Sequence, residues 1–165
     1  MNQLYAEAGT KRKDNGKILG LRTLLILGVA IGVILMLFGG IFGIAGVILV
    51  VGMVYLFPKL NVEYEYVFVD GQIDFDRITG KAKRKTLLRI DMEQVEIVAP
   101  QGSHALDGFT YTQLVNKDFS SGDKNIKPYL IIASVEDKKY RIAFEPSEKM
   151  LTMMKQKSPR KIAQY

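Results

Sequence analysis

Thirty-five consecutive residues, Thr23 to Phe57, contain no Asp, Glu, Lys, Arg or His, and 22 of them are Leu, Ile, Val or Phe. Such a run marks a membrane segment. As one helix rising ~1.5 Å per residue it would be ~52 Å long, and a ~30 Å hydrocarbon core would require more than the ~40° upper limit of usual tilts. Two passes fit better than one. The break belongs at Gly39-Gly40, the only paired glycines in the run, where residues without Cβ atoms turn the chain sharply. The expected helices are 18–38 and 41–57, ~31 Å and ~25 Å long. The first spans comfortably, and the second draws on its flank through Leu60 or on slight bilayer thinning. Arg22, in the opening turn of the first, is expected to snorkel to the headgroups. The turn from Leu37 to Phe42 carries no polar residue, which leaves open a hairpin that enters and leaves the same leaflet.

The flanking charges set an orientation. Lys11, Arg12, Lys13, Lys17 and Arg22 precede the run, Lys59 follows it, and no basic residue lies between the two helices. The positive-inside rule then places a multi-pass protein in the cell membrane with both termini cytoplasmic. A cleaved signal peptide is the rival reading, with Gly43 and Ala45 as its small pair, but signal h-regions are only ~7 to 15 residues long.

Three segments follow: a basic tail over 1–17, a two-helix transmembrane hairpin over 18–59, and one soluble domain over 60–165. About 105 residues suffice for a small domain with its own core. The chain has no cysteine, which excludes disulfides, thiolate catalysis and Cys-ligated metal centres and fits a reducing compartment. Of the net charge of +6, three units fall on residues 1–22 and three on 59–165, where eighteen basic residues face fifteen acidic ones. That balance argues against a nucleic-acid partner.

The soluble segment reads as β structure. Val62, Tyr64, Tyr66 and Phe68 alternate with Glu63, Glu65, Val67 and Val69, the period-two pattern of a half-buried strand. Asp70-Gly71 closes a hairpin onto a return strand through Ile73 and Phe75, and Thr79-Gly80 turns into a third strand at about 85–90. A fourth covers 94–99 and stops at Pro100. Phe109, Tyr111 and the nearby threonines suggest a short fifth strand, and 116–125 reads as a mobile loop. Strands at 128–135 and 140–144 pair across a turn at 136–139. Pro146, in a first turn, opens a helix with Met150, Leu151 and Met154 on one face and Lys155 and Lys157 near its C-terminus.

Seven strands and one terminal amphipathic helix resemble a pleckstrin-homology-like seven-stranded β-barrel capped by its C-terminal helix, over roughly 62–157. The most specific element is the last strand running through Phe144-Glu145-Pro146 into that helix. An OB-like barrel is the alternative, but it needs only five strands. The fold class is therefore a membrane α-helical hairpin plus an α+β soluble domain. Over its whole length the chain also resembles a family of small bacterial membrane proteins with an N-terminal two-helix hairpin and a pleckstrin-homology-like C-terminal domain. The resemblance runs through Lys11-Arg12-Lys13-Asp14-Asn15-Gly16-Lys17, Val69-Asp70-Gly71-Gln72-Ile73-Asp74 and Lys117-Asp118-Phe119, and it implies no activity or cofactor.

No catalytic constellation stands out. His104 is the only histidine, and Ser103 beside it cannot by adjacency form a nucleophile and base pair. Asp70, Asp74 and Asp76 could face a hard cation, yet they lack EF-hand spacing and read as the polar face of a strand. A cation cluster, Lys81, Lys83, Arg84, Lys85 and Arg89, crosses a turn and the next strand. The resemblance implies that relatives binding lipid headgroups gather charges at such a place. Gly28 and Gly32, repeated in spacing by Gly39 and Gly43, permit close helix packing, within the hairpin before a homo-oligomer. The expected function is a non-catalytic anchored module that binds protein or anionic membrane lipid through its domain. The alternative is an accessory or regulatory subunit of a larger membrane complex, held through its helices.

Overall fold

The computed structural model describes residues 4–80, 82–109 and 113–163. Two compact units make up the chain: a helical unit of Lys13–Val62 with Thr79–Lys83, and a β unit of Met1–Arg12, Glu63–Ile78 and Arg84–Tyr165.

In the helical unit, α1 (Gly16–Leu37) starts at Asn15, whose side chain accepts the Ile18 N–H at 3.0 Å. This satisfies one of the donors that a helix start leaves bare. Gly39 and Gly40 have φ of 67° and 54° and link α1 to α2 (Gly40–Leu56). Two successive left-handed residues turn the chain back, a conformation that glycine alone adopts without cost. A short 3-10 helix, Phe57–Leu60, ends the segment at Pro58 and its neighbours. α1, and α2 taken with this 3-10 turn, are each long and apolar enough to cross a membrane, with mean hydropathy 2.5 in each. Among the described residues only Leu25, Gly28 and Gly32 of α1 and Gly46 of α2 are buried. Most apolar side chains of this helix pair are therefore left uncovered within the unit.

The β unit begins earlier than expected. Tyr5–Lys11, in the segment read above as a basic tail, forms β1 and pairs antiparallel with β2 (Val62–Val69), from Tyr5 opposite Val69 to Lys11 opposite Glu63. Its inward residues are small, with Ala6 fully buried and Ala8 and Thr10 half-buried, so no bulky alternation announces it. The helical hairpin is therefore inserted into the connection between two paired strands.

From β2 the chain turns at Asp70 and Gly71, whose φ of 48° and 108° suit a tight hairpin, into β3 (Gln72–Thr79) and then β4 (Lys83–Asp91). β5 (Val95–Pro100) starts a second sheet. A 3-10 helix, His104–Phe109, occupies the start of the stretch expected to be a strand, while Tyr111 lies outside the described residues. β6 (Val115–Asp118) follows, then β7 (Tyr129–Val135) and β8 (Lys138–Phe144). The two four-stranded sheets run β1-β2-β3-β4 and β5-β7-β8-β6.

The expectation of a closed seven-stranded barrel is thus corrected. Eight strands are described, and they form two sheets that do not join into a barrel. β4 explains part of this: its only buried residue is Ile90, so it has no apolar face to wrap against the other sheet. Cations at its free edge also discourage further pairing. The segment read as a mobile loop is also different. Val115–Asp118 pairs parallel with β8, and Phe119, Ser120 and Ser121 are buried.

The sheets pack through aromatic rings. Phe144 of the second sheet meets Tyr66 and Phe75 of the first edge to face at 5.6 and 5.9 Å, and Phe119 stacks on Phe75 at 5.0 Å. Such pairs add to the gain from area burial alone. Tyr66 is fully buried and its hydroxyl donates to the Phe119 carbonyl at 2.5 Å; burial pushes its pKa well above the ordinary tyrosine value. α3 (Glu148–Lys157) is capped by the Ser147 hydroxyl at the Met150 N–H, 3.2 Å, which leaves Pro146 just before the helix and not in its first turn. Met150 and Met154 are fully buried, and Ile162 then bridges to Val98 at the β5 edge.

Candidate membrane-proximal site

The two ends of the hairpin meet in one polar cluster. Arg22 pairs with Asp14 at 2.8 Å and donates to the Asn61 side chain at 2.7 Å, and it lies 5.9 Å from the Phe57 ring centroid. Asp14 stands two residues before α1, and the Arg22 side chain reaches back to it because Cβ vectors point toward a helix N-terminus. The Lys59 ammonium lies over the Tyr55 ring at 3.9 Å. The β3-to-β4 turn belongs to the same unit: the Gly80 N–H donates to the Asn61 carbonyl at 3.1 Å. Gly80 has φ 63°, and a Cβ there would meet the Pro58 carbonyl at 3.4 Å.

The five-cation cluster divides. Lys81 lies outside the described residues. Arg84 binds Asp76 through Nε at 2.6 Å and also pairs with Glu65, and Arg89 grips both oxygens of Asp74 at 2.7 and 2.6 Å. These hydrogen bonds to Asp76 and Asp74 raise both guanidinium pKa values further. Lys83 and Lys85 are exposed, and neither makes an ion pair among the described residues. Lys83 belongs to the helical unit with Lys17 and Lys59, whereas Lys85 belongs to the β unit.

The glycines divide as well. A Cβ on Gly28 would meet Met53 at 3.0 Å, and one on Gly32 would meet Val50 at 2.6 Å and the Gly46 carbonyl at 3.1 Å. These two face α2. Gly39 opens on empty space and Gly43 has only the Met36 carbonyl at 3.7 Å, so the close approach belongs to Gly46, where a Cβ would lie 2.5 Å from the Gly32 carbonyl. Spacing alone could not select Gly46, because α2 offers Gly43, Gly46 and Gly52 and their partners depend on where the chain turns.

Among the described residues no catalytic or metal-binding set converges elsewhere. His104 is fully exposed, with Asp107 at 3.2 Å, while the Ser103 hydroxyl accepts the Ala105 N–H. Asp70 accepts the Leu4 N–H, and Asp74 and Asp76 hold different arginines. No three metal-binding side chains cluster among the described residues. An apolar cavity of about 140 Å³ beside Leu106, Phe109, Leu130 and Arg141 falls below the ~300 Å³ from which small-molecule sites begin.

Glu145 connects two segments that are far apart in sequence. One oxygen accepts the Ser121 N–H and hydroxyl at 2.8 and 2.7 Å, and the other accepts the Thr10 hydroxyl at 2.8 Å. Arg12 adds a hydrogen bond to the Tyr64 hydroxyl at 2.8 Å and lies 3.8 Å from Asp118. The Lys-Arg-Lys tract before the hairpin therefore serves partly to tie β1 down.

A two-sheet β unit with a C-terminal helix, carrying an apolar helical hairpin between its first two strands, defines a PH-like module joined to a candidate membrane anchor. The family described as Bacterial PH-like domain (DUF6106) matches residues 2–164, and the chain belongs to it. Comparison with curated proteins gave no match, and comparison with solved structures gave none. A PH-like domain is typically a non-catalytic binding module.

Proposed function

We propose that this protein is a non-catalytic membrane-anchored module, whose hairpin holds the PH-like domain at the cytoplasmic surface. The observation that carries the reading is the pairing of β1 with β2 across the inserted hairpin. Strands before and after the membrane segment can pair only on one side of a bilayer, which supports an even number of crossings. Lys13, Lys17 and Lys59 favour the cytoplasmic side by the positive-inside rule.

Of the binding roles, the charge distribution favours steadying on anionic lipid through Lys83 and Lys85. Arg84 and Arg89 are committed to Glu65, Asp76 and Asp74 and add less. Two lysines near an anionic surface contribute roughly 2 kcal/mol, about thirtyfold in affinity. Protein recognition by the same domain is the reading that remains if lipid contact is absent. Association through the helices draws less support, since Gly28, Gly32 and Gly46 are spent on packing α1 against α2.

The test uses the full chain in nanodiscs of neutral or anionic lipid, with an environment-sensitive fluorophore on Ala82→Cys. Anionic lipid should shift the emission, and high salt or Lys83→Gln with Lys85→Gln should abolish the shift. Identical spectra in both lipids would refute the lipid role.

A further inference from the structure

We infer that the turn of the helical hairpin seats in the lipid of the far leaflet, at the boundary between acyl chains and esters, and presents nothing to the water beyond. The inference rests on the reading that the hairpin is inserted in a membrane. Its first support is length. The polar plane at the hairpin base is fixed by Asp14, Arg22 and Asn61, joined at 2.8 and 2.7 Å. From Ile18, just inside that plane, to Leu37, α1 is ~30 Å long, which equals the ~30 Å hydrocarbon core. The return leg, α2 with its 3-10 extension, measures ~33 Å. Neither leg has length to spare for lifting the turn into water.

The side chains agree. Leu37, Phe38 and Ile41 are 84, 74 and 78% exposed, Phe42 is 60% exposed, and the turn has no polar side chain. An apolar tip of this kind favours lipid over water. The backbone opposes a deeper seat. The Leu35 and Met36 carbonyls accept from the Phe38 and Gly39 N–H groups at 3.2 Å, and the Gly43 N–H reaches the Gly39 carbonyl at 3.0 Å. The start of α2 leaves the N–H groups of Gly40, Ile41 and Phe42 without an intrahelical partner, and Gly39 supplies no side-chain cap. Unpaired donors are costly at the bilayer centre. At the acyl-to-ester boundary the four apolar side chains stay in lipid while interfacial water reaches the three N–H groups.

The absence of native cysteine makes the test free of background. Two full-length variants are placed in sealed proteoliposomes: Phe38→Cys, and a five-residue Gly-Ser-Cys-Ser-Gly insertion between Gly39 and Gly40. Each is exposed to a membrane-impermeant maleimide on both faces. In parallel, a bimane on Phe38→Cys is read against lipids brominated at different depths. The expected result is labelling of the insertion, no labelling of Phe38→Cys above the cysteine-free parent, and strongest quenching by shallow bromines. Labelling of Phe38→Cys would overturn the inference by placing the turn in water. An unlabelled insertion, with strongest quenching by bromines near the chain centre, would overturn it by stopping the turn short. No quenching by any bromolipid would defeat the membrane reading itself, and the inference with it.

Discussion

Replacing Glu145 with alanine should loosen two segments that are far apart in sequence. The carboxylate holds Ser121 through its N–H and hydroxyl and holds β1 through the Thr10 hydroxyl, all at 2.7 to 2.8 Å. A hydrogen bond with a charged partner contributes about 1.5–3 kcal/mol net, and a buried N–H left unpaired costs about 1–3 kcal/mol. Ser121 is only 4% exposed, so water does not readily replace the lost acceptor. Three bonds to one carboxylate do not add fully, and about 3 kcal/mol is a fair value for the clamp. At 1.4 kcal/mol per tenfold, local opening should rise by about two orders of magnitude. Amide hydrogen exchange of the full chain reads this directly. Peptides covering 4–12 and 115–122 should exchange far faster, while those from β7 and β8 keep most of their protection. Glu145→Gln retains an acceptor and should fall between. Wild-type exchange in β1, or equal acceleration of every strand, would refute the clamp.

Three further outcomes follow from the same geometry. The β7-to-β8 turn places Glu136 and Asp137 at φ 46° and 61°, so the pair Glu136→Asn and Asp137→Gly should stabilise the domain by about 1 kcal/mol and raise Tm by roughly 4 °C or more; an unchanged or lower Tm argues against it. Lys139 at 3.0 Å, and then the Ser134 hydroxyl, lower the Glu96 pKa. The unfolded chain then binds more protons at acid pH, so this stabilisation is present above the ordinary carboxylate pKa and is lost as pH falls through the depressed value. Glu96→Gln should flatten the acid limb of denaturation midpoint against pH. Finally, residues 62–165 alone leave the β2 edge bare and should associate, whereas 1–12 joined to 62–165 by a short linker should sediment as a monomer, since Lys11 stands opposite Glu63. Equal sedimentation of both would show β1 to be dispensable.

Legibility in the sequence followed side-chain size. β2 and β3 carry Tyr64, Tyr66, Phe68, Ile73 and Phe75 at alternate positions, and Asp70-Gly71 fixes their turn, so both strands and the hairpin between them could be recognised. β1 has only Ala6, Ala8 and Thr10 on its inner face, and β6 has four exposed residues; neither buries enough side chain to leave a periodic mark. Their strands exist because β2 and β8 offer open edges, which is a property of the partner. The cation cluster was visible as a count of charges. Its division into bound arginines and exposed lysines was not, because Asp74, Asp76 and Glu65 lie on other strands and reach it only through the register.

With the hairpin inserted in a membrane as proposed above, the order β1, hairpin, β2 couples insertion to folding of the sheet. The 51 residues that separate Lys11 from Glu63 in the sequence would cost about 3.5 kcal/mol to close as a flexible loop, against about 1.4 kcal/mol for some five residues. The hairpin removes most of that difference, since Asp14, Arg22 and Asn61 already join its two ends. A chain with one leg across the bilayer and the other left behind would hold β1 and β2 on opposite faces, separated by the ~30 Å core. β1 could not then reach β2, Thr10 could not reach Glu145, and Tyr64 would lose Arg12. Completion of the first sheet is therefore conditional on both passes, so a misinserted chain keeps an unpaired β2 edge of the kind that quality-control proteases and chaperones find exposed.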